Sequence, residues 1–239
     1  MFLKNLSLAV ALVAISVSSA PAGVIVDLDY NSRGTYGVNL GSYGIDANYA
    51  SGSYGGWAGQ LDITVTGSGS FNYDGDHLVY CTELGESAGA LNDYLLDSLD
   101  NLDVPTSGTS MGLSQKIAME KLFSLVGTVD TNLEASAFQV AVWEISHDEN
   151  FGDATAGTFN LSGSGTAYDL ISGKANDYLN ALAGLSQVSV LGMIADGSQD
   201  FLDANPELGG ISTIPEPATS AIFGAIGLIA CCRRRTSKA

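Results

Sequence analysis

The sequence predicts an α+β domain, an antiparallel β-sandwich or barrel-like core carrying a helical insertion. Three observations support that expectation. Period-two apolar alternation is confined to the first third and the far end of the chain, 3.6-residue periodicity fills the middle, and one middle helix is apolar almost all the way round. The chain has 239 residues, 46% of them hydrophobic, enough for one sizeable core. A two-sheet sandwich with incidental helices is the competing architecture.

Both ends stand apart from this domain. The opening, MFLKNLSLAVALVAISVSSAPAG, has an early charge at Lys4, an apolar run from Leu6 to Val17 and then small residues. This is the layout of a secretory signal peptide, with cleavage expected after Ala22, so that residues 1–22 are removed. The exported domain then covers residues 23–212 and a tail covers 213–239.

Within the domain, VIVDLDY (Val24 to Tyr30), LDITVTG (Leu61 to Gly67) and HLVYC (His77 to Cys81) read as strands. Turn-rich glycine, serine and asparagine separate the first two. Ala88 to Leu102 is expected to be helical, ending before Pro105. In SQKIAMEKLFSLVG, Met119, Leu122, Phe123 and Val126 form one helical stripe that Gly127 stops. Thr131 or Asn132 caps the next helix, with Glu134 near its positive end. Gly152 to Gly165 is a loop, Tyr168 to Leu182 a further helical stripe, and Gln187 to Ile194 a last strand.

Over Gly23 to Pro217, a span without Lys4, Arg233, Arg234, Arg235 and Lys238, four basic residues stand against 26 acidic ones, a net charge of −22. Such a domain has no electrostatic means of holding nucleic acid, and no cofactor is implied. Asp27, Asp29 and Asn31 open like a calcium loop, but Ser32 and Val38 stand where glycine and glutamate are required, so no metal site is assigned. The Tyr73 to His77 stretch, YDGDH, reads as a turn between strands.

The informative pair is Cys81 and Gln139. Cys231 and Cys232 leave with the tail, so Cys81 is alone in an oxidising compartment where cysteines normally pair. Gln139 sits inside "SAFQVAVWEIS", a helix with no solvated side, where an unpaired amide is costly. One chemical step answers both difficulties. Attack of the thiolate on the carboxamide releases ammonia and leaves an internal thioester, with Tyr80, Phe138 and Trp143 keeping water from the carbonyl. His77 and His147 are candidates to relay a proton.

These residues carry a resemblance. "YCTE" and "FQVAVWEI" resemble the two signature segments of bacterial surface thioester domains. The resemblance implies that Cys81 supplies the thiol, Gln139 the acyl group, and Tyr80, Phe138 and Trp143 the shield. It further implies covalent capture of an amine or hydroxyl on a surface protein or polysaccharide. Capture of this kind is spent in one event, so the protein is not expected to be an enzyme.

The tail has its own resemblance. Pro215-Glu216-Pro217, an apolar stretch from Ala218 to Cys232 and the cluster Arg233-Arg234-Arg235 are similar to the PEP-CTERM sorting signal of Gram-negative bacteria. That implies exosortase as a processing partner, a membrane-held tail before processing, and export across the inner membrane to the cell surface or extracellular matrix. The apolar stretch is short for a spanning helix, which needs about 20 residues. Attachment to the producer's own matrix, in a biofilm, fits this anchor better than host adhesion. The alternative is a non-covalent, acidic, β-rich matrix or carbohydrate-binding protein, with Tyr43, Tyr49, Tyr54 and Trp57 as stacking surfaces. A cysteine hydrolase using Cys81 with either histidine lacks a glycine-rich nucleophile setting.

Overall fold

The computed structural model describes residues 24–69, 72–86, 93–99, 102 and 110–203. The segment expected as a signal peptide, Pro215 to Pro217 and the arginine cluster lie outside them. Among the described residues the fold is α+β, as expected: a closed six-stranded antiparallel barrel, three helices and a small three-stranded sheet.

The barrel strands are β1 (Val24–Asn39), β4 (Trp57–Thr66), β5 (Gly75–Cys81), β6 (Tyr94–Ser98), β8 (Leu191–Ile194) and β9 (Phe201–Asp203), in the spatial order β1-β4-β5-β9-β8-β6. Alternation fills the barrel. Val26 and Leu28 of β1, Leu61, Ile63 and Val65 of β4, Val79 of β5, Tyr94 and Leu96 of β6, Met193 and Phe201 form one buried cluster. The small sheet consists of β2 (Asp46–Tyr49), β3 (Gly52–Tyr54) and β7 (Phe159–Ser162), ordered β3-β2-β7. The helices are α1 (Leu113–Phe123), α2 (Asn132–His147) and α3 (Thr166–Ala181); α2 packs against barrel strands and β7, with α1 and α3 against it, and all three contribute to a second core.

Several expectations are corrected. The segment expected as a helix over 88–102 forms β6 at Tyr94–Ser98. Its buried residues, Tyr94 and Leu96, alternate with less buried ones, and it pairs with β1 on one side and β8 on the other. The last expected strand starts at Leu191 rather than Gln187. The first runs on to Asn39, bending at two register shifts around Tyr30 to Gly37. The expected loop from Gly152 to Gly165 contains β7, and β2, β3 and β9 carried no sequence expectation.

Two glycines let β1 and β4 cross closely. Gly37 and Gly59 are register partners and both have φ of +148°. A Cβ on Gly59 would stand 2.4 Å from the Gly37 Cα. Only a residue without a side chain fits there.

Thr131 caps α2: its Oγ1 accepts from the Glu134 N–H at 3.2 Å, and Glu134 Oε2 accepts from the Asp130 N–H at 3.3 Å. From Ala135 to Asp148 every residue is buried. The helix packs against β1, β4 and β5 on one side and α1, α3 and β7 on the others. Its burial continues through Ser146 and His147 to the C-cap Asp148.

Candidate functional site

Three polar side chains on one stripe of α2, at i, i+4 and i+7, fasten it to consecutive barrel strands. Asn132 Oδ1 accepts from the Gly37 N–H of β1 at 3.2 Å. Ser136 Oγ donates to the Ala58 carbonyl of β4 at 3.0 Å. Gln139 reaches Cys81 of β5 twice: Nε2 donates to the Cys81 carbonyl at 2.7 Å and Oε1 accepts from the Cys81 N–H at 3.0 Å. The β4–β5 ladder has its last pair at Leu61 and Val79. Gln139 therefore takes up backbone groups of β5 two residues past the point where β4 stops doing so. The buried amide is satisfied, through the main chain of the very residue the sequence paired with it.

β5 is a wall between the two cores. Tyr80 faces the helices, whereas Val79 and Cys81, one residue out of phase, face the barrel cluster. The hydrogen bonds between Gln139 and Cys81 run through the Cys81 main chain, and the Cys81 side chain packs against the barrel-side cluster. Cys81 is a free cysteine, partly buried. Burial of the thiol, and secondarily the Glu83 charge, push its pKa up to about 12. The thiol is therefore protonated at neutral pH.

Tyr80 and Phe138 lie together on the helix side, ring centroids 4.7 Å apart. Phe123 meets both, at 6.2 and 5.3 Å, and Tyr178 meets Phe138 at 5.8 Å. Phe123 and Tyr178 belong to this aromatic layer although the sequence places them only in helical stripes and not at the site; they come from α1 and α3, far away in the chain. Trp143 is buried in the same core, but among the described residues it makes no ring contact with Tyr80 or Phe138. Its Nε1 is buried without a hydrogen-bond partner among the described residues.

The histidines are not brought to Cys81 and Gln139. His77 stands four residues back along β5, where its Nε2 donates to the Tyr73 carbonyl at 3.0 Å and its Nδ1 lies 3.5 Å from Asp203. Burial lowers its pKa, but the hydrogen bond and charge of Asp203, with Tyr73 and Asp76, outweigh that and raise it overall. Tyr73 donates to the same Asp203 carboxylate at 2.6 Å. His147 lies eight residues beyond Gln139, about 12 Å along the helix, against Tyr49 and Phe159.

The sequence reading also passed over Glu144. It is 1% exposed, one carboxylate oxygen accepts from the Gly152 N–H at 3.1 Å, and the other makes no hydrogen bond within 3.5 Å among the described residues. Burial first, opposed by Gly152 and aided by the Asp148 charge, pushes its pKa up to about 7. A charged residue inside "AVWEIS" was the available signal. Of the stacking candidates, Tyr43 is exposed and Trp57 lies under Arg33, 4.8 Å from its ring centre. Asp27, Asp29 and Asn31 are part of β1. Among the described residues no cluster of three or more His, Cys, Asp or Glu is placed to hold a metal ion, and no helix is long and apolar enough to cross a membrane.

No family model and no curated protein matches the chain. Among solved structures it is similar to the N-terminal thioester domain of a surface protein from Clostridium perfringens, at 14% identity and a TM-score of 0.36, over 61% of this chain and 88% of that one. So distant a likeness leaves the reading of the site to the site's own geometry.

Proposed function

We propose that Gln139 is the acyl donor of an internal thioester with Cys81, and that the domain is an exported surface or matrix protein that captures a partner covalently. The observation that carries this reading is the reciprocal pair of hydrogen bonds between the Gln139 carboxamide and the Cys81 peptide. It holds the acyl carbon beside the residue that bears the thiol. It also sets the Cys81 N–H on Oε1, the oxygen that gains negative charge when the carbonyl is attacked.

In this mechanism the Cys81 side chain turns from the barrel cluster toward the carboxamide. The Sγ–Cδ bond forms, the Cδ–Nε2 bond breaks, and the thiol proton leaves with the nitrogen as ammonia. The raised thiol pKa favours this direct transfer over prior ionisation. An incoming amine or hydroxyl later attacks Cδ, and its proton returns the sulfur to a thiol. The acyl group is consumed, so there is no turnover. The aromatic layer of Tyr80, Phe138, Phe123 and Tyr178 supports the reading by closing the helix side of β5 to water. The partner class is a nucleophile-bearing surface protein or polysaccharide, with the Pro215-Glu216-Pro217 tail handing the protein to exosortase.

The test is the intact mass of the purified protein beside a Cys81→Ala variant, each before and after methylamine. The expected result is a wild type lighter than its sequence by one ammonia, which gains methylamine and frees one thiol, while the variant does neither. A full sequence mass with a freely titratable Cys81 overturns the proposal and leaves Gln139 as a structural tie between α2 and β5.

A further inference from the structure

The far end of α2 carries a second feature, separate from Cys81. The last turn of α2, the first turn of α1 and the small sheet border a cavity of about 360 Å³, within the range of small-molecule sites. Its wall includes Tyr49, Gln115, His147, Asp148, Glu149 and Asn150.

Most of the polar groups in this wall are already engaged. Gln115 Oε1 accepts from the Gly112 N–H at 3.1 Å, and its Nε2 donates to the carbonyls of Ile145 and Ser146 at 2.7 and 3.1 Å. Asp148 accepts from the Asn150 N–H at 2.8 Å through Oδ1 and from the Thr158 N–H at 2.7 Å through Oδ2. His147 differs. It is 5% exposed, and its Nδ1 lies 3.0 Å from the Trp143 carbonyl. A carbonyl only accepts, so Nδ1 carries the hydrogen. Burial pushes the imidazole pKa down to about 4, which leaves the ring neutral and Nε2 a bare lone pair. No hydrogen bond from the described residues engages Nε2. The edge-on Tyr49 ring at 4.6 Å and the Phe159 ring at 6.2 Å fix the imidazole plane.

We propose that this cavity binds a neutral, hydroxyl-bearing ligand, a glycan residue, with His147 Nε2 accepting a hydrogen bond from a ligand hydroxyl. Among the described residues the wall contains no lysine or arginine, so an anion finds no counter-charge there. Asp148 is committed to backbone donors, so a cation finds only Glu149 at the exposed edge. A fixed neutral acceptor, an amide at Asn150 and an aromatic ring at Tyr49 are the complement of a sugar ring: directional acceptors and donors for hydroxyls beside an apolar surface for C–H groups. The site does not depend on the thioester.

The test uses the ¹⁵N-labelled full chain titrated with the methyl glycosides of glucose, galactose and N-acetylglucosamine, reading the His147 Nε2 resonance. One glycoside is expected to move that resonance saturably, equally in Cys81→Ala and at high salt. His147→Asn keeps a donor for the Trp143 carbonyl while deleting Nε2, and should weaken binding, read in both proteins from the Asn150 side-chain amide resonances, about tenfold or more, the worth of one hydrogen bond. A resonance unmoved by all three at millimolar concentration overturns the proposal without touching the thioester. So does binding undiminished in a folded His147→Asn variant, or salt-sensitive binding of methylammonium in place of the sugars.

Discussion

Gln139 grips both polar main-chain groups of Cys81, N–H and C=O, from a helix that has no solvated side over the thirteen residues from Ala135 to His147. The contact does structural service whatever chemistry it supports. Gln139→Ala strips two buried backbone groups of their partner, and each such group costs about 1–3 kcal/mol. We expect a loss of about 2–4 kcal/mol in urea unfolding, measured on a Cys81→Ala background so that any acyl bond is absent from both proteins.

If the bond forms, it closes a loop between residues 58 positions apart. Chain-entropy arguments for cross-links of that span give an upper bound of about 4 kcal/mol. Methylamine treatment, which opens the link, should therefore lower the thermal midpoint of the wild type and leave Cys81→Ala unchanged. Calorimetry before and after treatment checks this.

Glu144 sets a pH dependence of known sign. Its folded pKa is raised, so the native state holds the proton more tightly than the unfolded chain does. The corresponding stability is complete below the ordinary glutamate value and is lost as pH rises through about 7. Glu144→Gln should raise stability at pH 8 by about 1–3 kcal/mol, the scale of a buried acceptor left without a partner, and change little at pH 5. Denaturant titrations at the two pH values give the comparison.

The His77–Asp203 pair acts in the same direction. With the histidine pKa raised in the fold, its contribution is full below the unfolded value of about 6.5 and declines as pH rises through the folded one. His77→Gln should flatten the stability profile above that point, read from thermal midpoints across pH 6 to 9.

Gly59→Ala tests the crossing of β1 and β4. Strain at a positive φ costs about 1–3 kcal/mol, and the clash with the Gly37 backbone adds to it. The variant should lose more stability than Gly56→Ala, where an added Cβ meets nothing.

The helices were legible because their stripes are long. Met119, Leu122 and Phe123 are buried as their spacing requires, and the unbroken apolar run of α2 places it at the centre. Tyr94–Ser98 was misread because AGALNDYLLDSLDNL has leucines that satisfy a helical stripe as well as a strand. The register with β1 and β8, which decides the matter, is invisible locally. β9 has three residues, too few to show a period. At the site, Cys81, Gln139, Tyr80 and Phe138 were found from the sequence. Phe123 and Tyr178 were not, because nothing in their own segments points to β5. The cavity beside His147 is assembled from α1, α2 and β2, so no contiguous stretch announces it.

The shortness of β9 matters for how the molecule bears a load. The strand has a neighbour on each side, β5 and β8, and the chain runs on from Asp203 toward the tail. A pull applied to Asp203 along the strand axis would load β9 lengthwise, so that both ladders resist in shear together instead of opening one bond at a time. One of those ladders pairs Asp203 with Val79, Leu202 with Tyr80 and Phe201 with Cys81. Such a pull would reach, within three residues, the strand that Gln139 holds.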